Sequence, residues 1–226
     1  MEAAKPIFTL NIGSIPIDIT MNMVVQWIIM IALIALATYL TQNLKEIPDK
    51  KQTIAEMFVG GIRNLVKENM GEEYKSLVPI IGTIAIYLLS MNLFGFFGIE
   101  PPTQSLGIAF SMGIITFIII QTYAIKKLGL FHYFMGYGKP VFVMLPLNLL
   151  ERVMLPVSLS LRLFGNMFAA TYIMSMAYGY LDKVAWAAQL AVPIPLHLYF
   201  DAFDGTIQTI IFLMISMINI KIIAEH

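Results

Sequence analysis

Apolar and polar positions divide the chain into long charge-free blocks separated by short charged ones. Residues 21–41, 77–97 and 106–125 carry no charged side chain. Each block has about 20 residues, enough for a helix to cross a hydrocarbon core about 30 Å thick. Two later apolar stretches, 140–178 and 184–223, are about twice as long, and forty helical residues extend about 60 Å. The pattern predicts that these two helices are steeply tilted or broken. Pro146 and Pro156 would interrupt the first, Pro193 and Pro195 the second. The link at 179–183 is short, so the two form a hairpin.

Between the first two blocks the pattern changes. Residues 42–76 hold six basic and six acidic side chains. Among them Ile54, Met57, Phe58, Gly61, Ile62 and Leu65 recur at intervals of three and four. Over residues 48–70 that spacing predicts an amphipathic helix lying on the membrane surface, and Pro48-Asp49 marks its start. Residues 1–20, with Pro6, Gly13 and Pro16, read as a short exposed arm. The glycine- and aromatic-rich run after the third block (Phe131, His132, Tyr133, Phe134, Tyr137) suits a membrane interface. Basic residues concentrate after the first and third blocks, which predicts an external N-terminus and a cytoplasmic C-terminus. The expected fold is therefore all-α and polytopic, one membrane domain over residues 1–226. It has about five crossing helices plus a cytoplasmic-surface amphipathic helix.

Composition agrees with this reading and narrows it. The 226 residues are 58% hydrophobic and 12% charged, about half the charged fraction of a soluble domain, with a mean hydropathy of +0.79. The alternating ten-residue segments of a membrane β-barrel are absent. There is no cysteine, which removes disulfides, thiolate metal sites and cysteine nucleophiles. Net charge is zero, so no bulk field points to nucleic acid. The first apolar block is too long for a cleaved signal peptide.

The charges inside the apolar stretches carry the candidate chemistry. Ser158, Arg162 and Asn166 fall on one helical face, with Gly165 and Ala169 beside them leaving room for a second helix. A guanidinium stays protonated and resists burial in hydrocarbon, so Arg162 is a functional candidate. The competing reading is a structural arginine paired to an acid on a neighbouring helix. On the last helix His197, Asp201, Asp204 and Gln208 step by four, three and four, and Ser216 and Asn219 continue the line loosely. Asn148 and Glu151 extend the Arg162 stripe. Two facing polar stripes describe an ion path, with the arginine forbidding free passage. On spacing alone His197 and Asp201 serve equally as a satisfied buried pair, and Glu151 with Arg152 as an interfacial pair. His132 and His226 stand apart, and no ligand cluster supports a metal site.

With these residues in view, the chain resembles the a subunit of F-type ATP synthase over nearly its whole length. The resemblance runs from the surface helix through Asn92-Leu93 and the segment Ser158-Leu159-Ser160-Leu161-Arg162-Leu163-Phe164-Gly165-Asn166-Met167 to the helix holding Gln208. It implies that Arg162 is the essential arginine facing the c-subunit ring, with Gln208 near it. Asn166 and Asp201 match the outer half-channel, and Glu151 matches an acid near the cytoplasmic one. The family often has glutamate or histidine at the position of Asp201, and an acid or histidine nine residues after the arginine. Here that second position is Thr171, which shifts the relay toward His197 and Asp204.

The implied partners are the c ring, the b-subunit peripheral stalk, the F1 sector indirectly and the lipid bilayer, with no cofactor. The implied ion is H+ or Na+ and the location a bacterial plasma membrane. There is no phosphate-binding loop string, so the chain is expected not to be catalytic alone. A self-contained secondary ion transporter is the alternative, but such folds usually have two related halves and none is visible here. A purely structural anchor would leave the intramembrane charges without a role.

Overall fold

The computed structural model describes residues 7–12, 15–97, 101–131, 133, 145–184 and 192–225. The N-terminal segment, expected as a short exposed arm, contains a pair of strands. Phe8–Ile12 (β1) and Ile15–Ile19 (β2) pair antiparallel, with Phe8 opposite Ile19 and Ile12 opposite Ile15. Isoleucines at alternate positions 15, 17 and 19 favour an extended backbone. Thr9 Oγ1 donates to Asp18 Oδ1 across the pair at 2.8 Å.

Among the described residues, those after β2 are helical or connecting. α1 spans Met21–Thr41, α2 Lys50–Asn69, α3 Val78–Leu93, α4 Leu106–Leu128 and α5 Leu145–Val184. The final rod joins α6 (Pro193–His197), a π-helical segment (Leu198–Asp204) and α7 (Gly205–Glu225) with α-region backbone at both junctions. Among the described residues five helical stretches are long and apolar enough to cross a membrane, so the chain is an all-α polytopic membrane protein. In lipid a spanning segment must satisfy its own backbone groups, which is why each apolar block becomes a helix. Hydroxyls inside the spans follow the same constraint. Thr83, Ser90, Thr171 and Ser216 each donate to the carbonyl four residues earlier.

α2 has two apolar edges. Ile62 and Val66, followed by Met70, are buried, and Ile62 packs against Gly82 of α3. Ile54 and Met57 are exposed on the other edge. At its start Lys45 Nζ lies 2.8 Å from Asp49 Oδ2. The hydrogen bond and the charge of Lys45 hold that carboxyl below its ordinary value.

The core lies where α3, α4, α5 and α7 meet, around Leu88, Met91, Ile120, Leu163, Phe212 and Met217. Lipid is as apolar as these side chains, so helix association rests on close packing. α4 meets α5 most closely at Gly113: a Cβ there would lie 2.1 Å from Ser160 Oγ and 2.8 Å from the Pro156 carbonyl oxygen. α1 is peripheral, burying only Val25 and Ile29 while Ile28, Ile31 and Ile34 stay exposed.

The long hairpin departs from expectation in two respects. α5 is a 40-residue helix that carries Pro156 internally and continues through residues 179–183, where a loop was expected. Pro146 sits in its first turn, where a missing N–H costs little, and Gly179 alone does not end a helix whose backbone gains nothing by opening in an apolar setting. On the last rod Pro193 and Pro195 lie at the start, where they initiate helix instead of interrupting it. The irregularity falls at the π-helical segment.

Candidate functional site

The outward face of α5 holds the first half of the site. Ser158, Arg162 and Asn166 are all exposed, among exposed Leu161, Phe168 and Tyr172. Gly165 faces open space, with no atom within 4 Å of where a Cβ would stand. Among the described residues Arg162 has no hydrogen bond and no acidic partner. A structural pairing of Arg162 to a neighbouring helix of this chain is therefore not what the described residues contain. Its charge points away from the protein.

Two hydrogen bonds tie α5 to the final rod and set their register. Asn166 Nδ2 donates to Gln208 Oε1 at 2.6 Å, and Tyr178 Oη lies 3.0 Å from His197 Nε2. A step toward the C-terminus on one helix matches an equal step back on the other, so the two run antiparallel. Arg162 then falls level with the buried Phe212. Glu151 lies eleven residues before Arg162, about 16 Å along the helix, and His197 lies near the opposite end of the hairpin.

At that end a compact polar cluster forms. His197 Nδ1 lies 2.5 Å from Asp201 Oδ2. The ring thus bridges the two groups, with the carboxylate at Nδ1 and the Tyr178 hydroxyl at Nε2. Tyr178 is exposed, His197 half-buried and Asp201 buried, so the three lead from the surface inward. Asp201 fits only because residue 95 is glycine, since a Cβ there would lie 2.7 Å from its Oδ1. Asn92, fully buried, donates to the Gly205 carbonyl at 3.2 Å and to Thr209 Oγ1 at 3.1 Å. It accepts from Thr103 Oγ1 at 3.0 Å. The end of α3 is thereby locked to the rod just below Asp201.

The π-helical segment shapes this arrangement. Insertion of a wider turn between His197 and Gly205 carries the buried line through Asp201, Gly205 and Gln208. Asp204 stands beside that line, half-buried and without a hydrogen bond among the described residues. Gln208 Nε2 is buried without a partner there. Glu151 is exposed and makes no ion pair with Arg152, which instead donates to Gln121 Oε1 at 3.2 Å on α4. Thr171, standing where a titratable group was looked for, bonds to its own helix at the Met167 carbonyl, 2.9 Å away. No group of three or more His, Cys, Asp or Glu side chains able to hold a metal occurs among the described residues. His132 and His226 lie outside them.

Residues 23–221 match the family described as ATP synthase A chain. The chain belongs to that family. It is 34% identical over 218 residues to ATP synthase subunit a of Moorella thermoacetica, covering 96% of this chain and 95% of the relative. It is 30% identical to the sodium ion specific ATP synthase subunit a of Propionigenium modestum, covering 90% of this chain and 73% of that one. Identity to ATP synthase subunit a of Geobacter sulfurreducens is 33%, with 86% and 83% covered.

In this ATP synthase A chain, the sequence pattern identified Arg162, Asn166, Gln208, His197 and Asp201 as candidates, and the fold joins them into two hydrogen-bonded pairs with Arg162 beside one. It did not identify Tyr178, Gly95, Thr103, Gly205 or Thr209. Tyr178 carried a usable signal, a polar-tipped aromatic near the end of a polar-striped helix. The glycines carried none, because their contribution is a missing side chain.

Proposed function

We propose that this chain, a subunit of the membrane sector of an ATP synthase, carries ions past Arg162 on a face shared with the rotating c-subunit ring. The observation that carries this reading is the exposed, unpaired Arg162 within a long membrane helix. An arginine at mid-span costs about 2.5–3.5 kcal/mol on insertion scales unless something receives it. An acidic site on a second chain is the natural recipient, and Gly165 leaves space for a helix to approach.

The path begins outside. An ion enters past Tyr178, His197 and Asp201, reaches the Asn166–Gln208 pair and loads a ring carboxylate. Arg162 favours the ionised, empty carboxylate by attraction between opposite charges, and its fixed charge keeps a cation from crossing directly between the two half-paths. After rotation the ion leaves toward the end of α5 that holds Glu151. Each unit charge crossing 100 mV supplies about 2.3 kcal/mol. The positive-inside bias supports a cytoplasmic C-terminus in a bacterial plasma membrane. The b-subunit stalk holds the chain against the ring, and phosphoryl chemistry belongs to the F1 sector. α5, with 40 residues, is about twice as long as the core is thick and the final rod also exceeds that thickness, so both lie tilted.

The test is Arg162→Ala in the assembled complex. ATP-driven ion pumping per complex should be abolished while assembly persists. Wild-type pumping by that variant would end this reading. A self-contained transporter would aim Arg162 into its own interior, and here it faces outward.

A further inference from the structure

We propose that a cavity between the end of α2 and the start of α3 binds the phosphate group of an anionic membrane lipid. The cavity measures about 280 Å³ and is lined by Arg63, Lys67, Gly71, Glu72, Lys75 and Val78, among others. Lys67 Nζ lies 2.6 Å from Glu72 Oε1, and Lys75 pairs with the other oxygen of the same carboxylate. Arg63, exposed on the rim, has no acidic partner among the described residues. Three cations and one carboxylate thus line the cavity, leaving an excess of two positive charges for an incoming anion.

Position favours a lipid over a soluble anion. α2 has the exposed and buried apolar edges of a helix lying at a membrane surface, and α3 begins a membrane span at Val78. The cavity therefore sits at headgroup depth, on the face that the basic-residue bias places in the cytoplasm. Val78 forms part of its lining, and Pro79 and Ile80 beyond it are exposed, giving an acyl chain an apolar surface along α3. Basic pockets beside spanning helices on the cytoplasmic side are suited to anionic headgroups. The site is remote from Arg162 and does not depend on the ion path.

The two charge changes at this cavity predict opposite effects. One cation near an anionic membrane surface is worth about 1 kcal/mol, or about fivefold in affinity. Arg63→Gln should weaken one lipid site per complex about fivefold. Glu72→Gln removes the internal competitor for Lys67 and Lys75 and should strengthen it several-fold. The measurement is binding of spin-labelled phosphatidylglycerol to the purified, assembled complex, against phosphatidylcholine with matched chains and with inorganic phosphate as competitor. A preference for phosphatidylglycerol, lowered by the first variant and raised by the second, supports the site. Equal binding by all three proteins overturns it. So does displacement by millimolar phosphate without preference between the two lipids, because that pattern describes a free-phosphate site.

Discussion

Replacing Gly95 by alanine tests the geometry of the His197–Asp201 cluster without replacing a titratable group. The added methyl would stand 2.7 Å from Asp201 Oδ1 and 2.8 Å from its Cγ, where ordinary contact begins near 3.4 Å. The carboxylate or the end of α3 must give way by about 0.7 Å. Asp201 Oδ2 is held 2.5 Å from His197 Nδ1, so a displacement of that size bends or breaks the pair. A hydrogen bond to a charged group contributes about 1.5–3 kcal/mol, and about 1.4 kcal/mol is a factor of ten in rate. ATP synthesis driven by an imposed ion gradient, measured per assembled complex in membrane vesicles, should therefore fall roughly ten- to a hundredfold. Gly60→Ala is the control, because a Cβ there meets nothing within 4 Å. In an Asp201→Ala background the methyl has room, so Gly95→Ala should add no further loss. Wild-type synthesis in the single variant, or an undiminished extra loss in the double, would refute the reasoning.

Two further expectations follow from close contacts. Tyr178→Phe removes the hydroxyl 3.0 Å from His197 Nε2; at about 1 kcal/mol for one hydrogen bond it should slow gradient-driven synthesis roughly fivefold, and an unchanged rate would remove Tyr178 from the path. Gly113→Ala places a methyl 2.1 Å from Ser160 Oγ and 2.8 Å from the Pro156 carbonyl oxygen. It should destabilise the α4–α5 crossing by about 1–3 kcal/mol, lowering the melting temperature of the purified complex, and Ser160→Ala should rescue it only in part because the carbonyl remains.

How much of this was legible in the sequence depended on the range of the cause. The spans were legible because lipid acts on whole segments: twenty charge-free residues have one way to satisfy their backbone. Arg162 was legible because its charge is anomalous wherever such a helix sits. The hairpin of residues 8–19 was obscured by prolines and its shortness, which hid the alternation in Ile15, Ile17 and Ile19. The end of α5 was misplaced because Gly179 is a stop signal in water, where exposed carbonyls find partners, and a weak one in an apolar setting. The lock between Asn92 and the final rod could not be read at all, since its partners there lie 113 and 117 residues away. The π-helical turn, which decides that Asp201 and not Asp204 lies on the buried line, alters a spacing that the sequence alone presents as regular.

The chain is best understood as one side of a site. Within it Gln208 buries an amide nitrogen without a partner, a condition that costs about 1–3 kcal/mol. One turn before its partner Asn166 on α5, Arg162 holds a charge outward that lipid disfavours by a similar amount. On the proposed function both penalties, which fall on the same stretch of the α5–α7 seam, would be relieved by one event, the arrival of a carboxylate on a closely packed helix. Gly165 leaves room for that approach, and the exposed apolar side chains Leu161 and Phe168 on either side of it would exclude water from the contact. In so dry a gap the attraction between guanidinium and carboxylate would favour the ionised, empty carrier. On the same proposal the contact must be transient, because the carboxylate has to move on. A polar but uncharged pair, Asn166 and Gln208, beside the arginine would meet that need: it would solvate a loaded carboxyl without holding an ionised one.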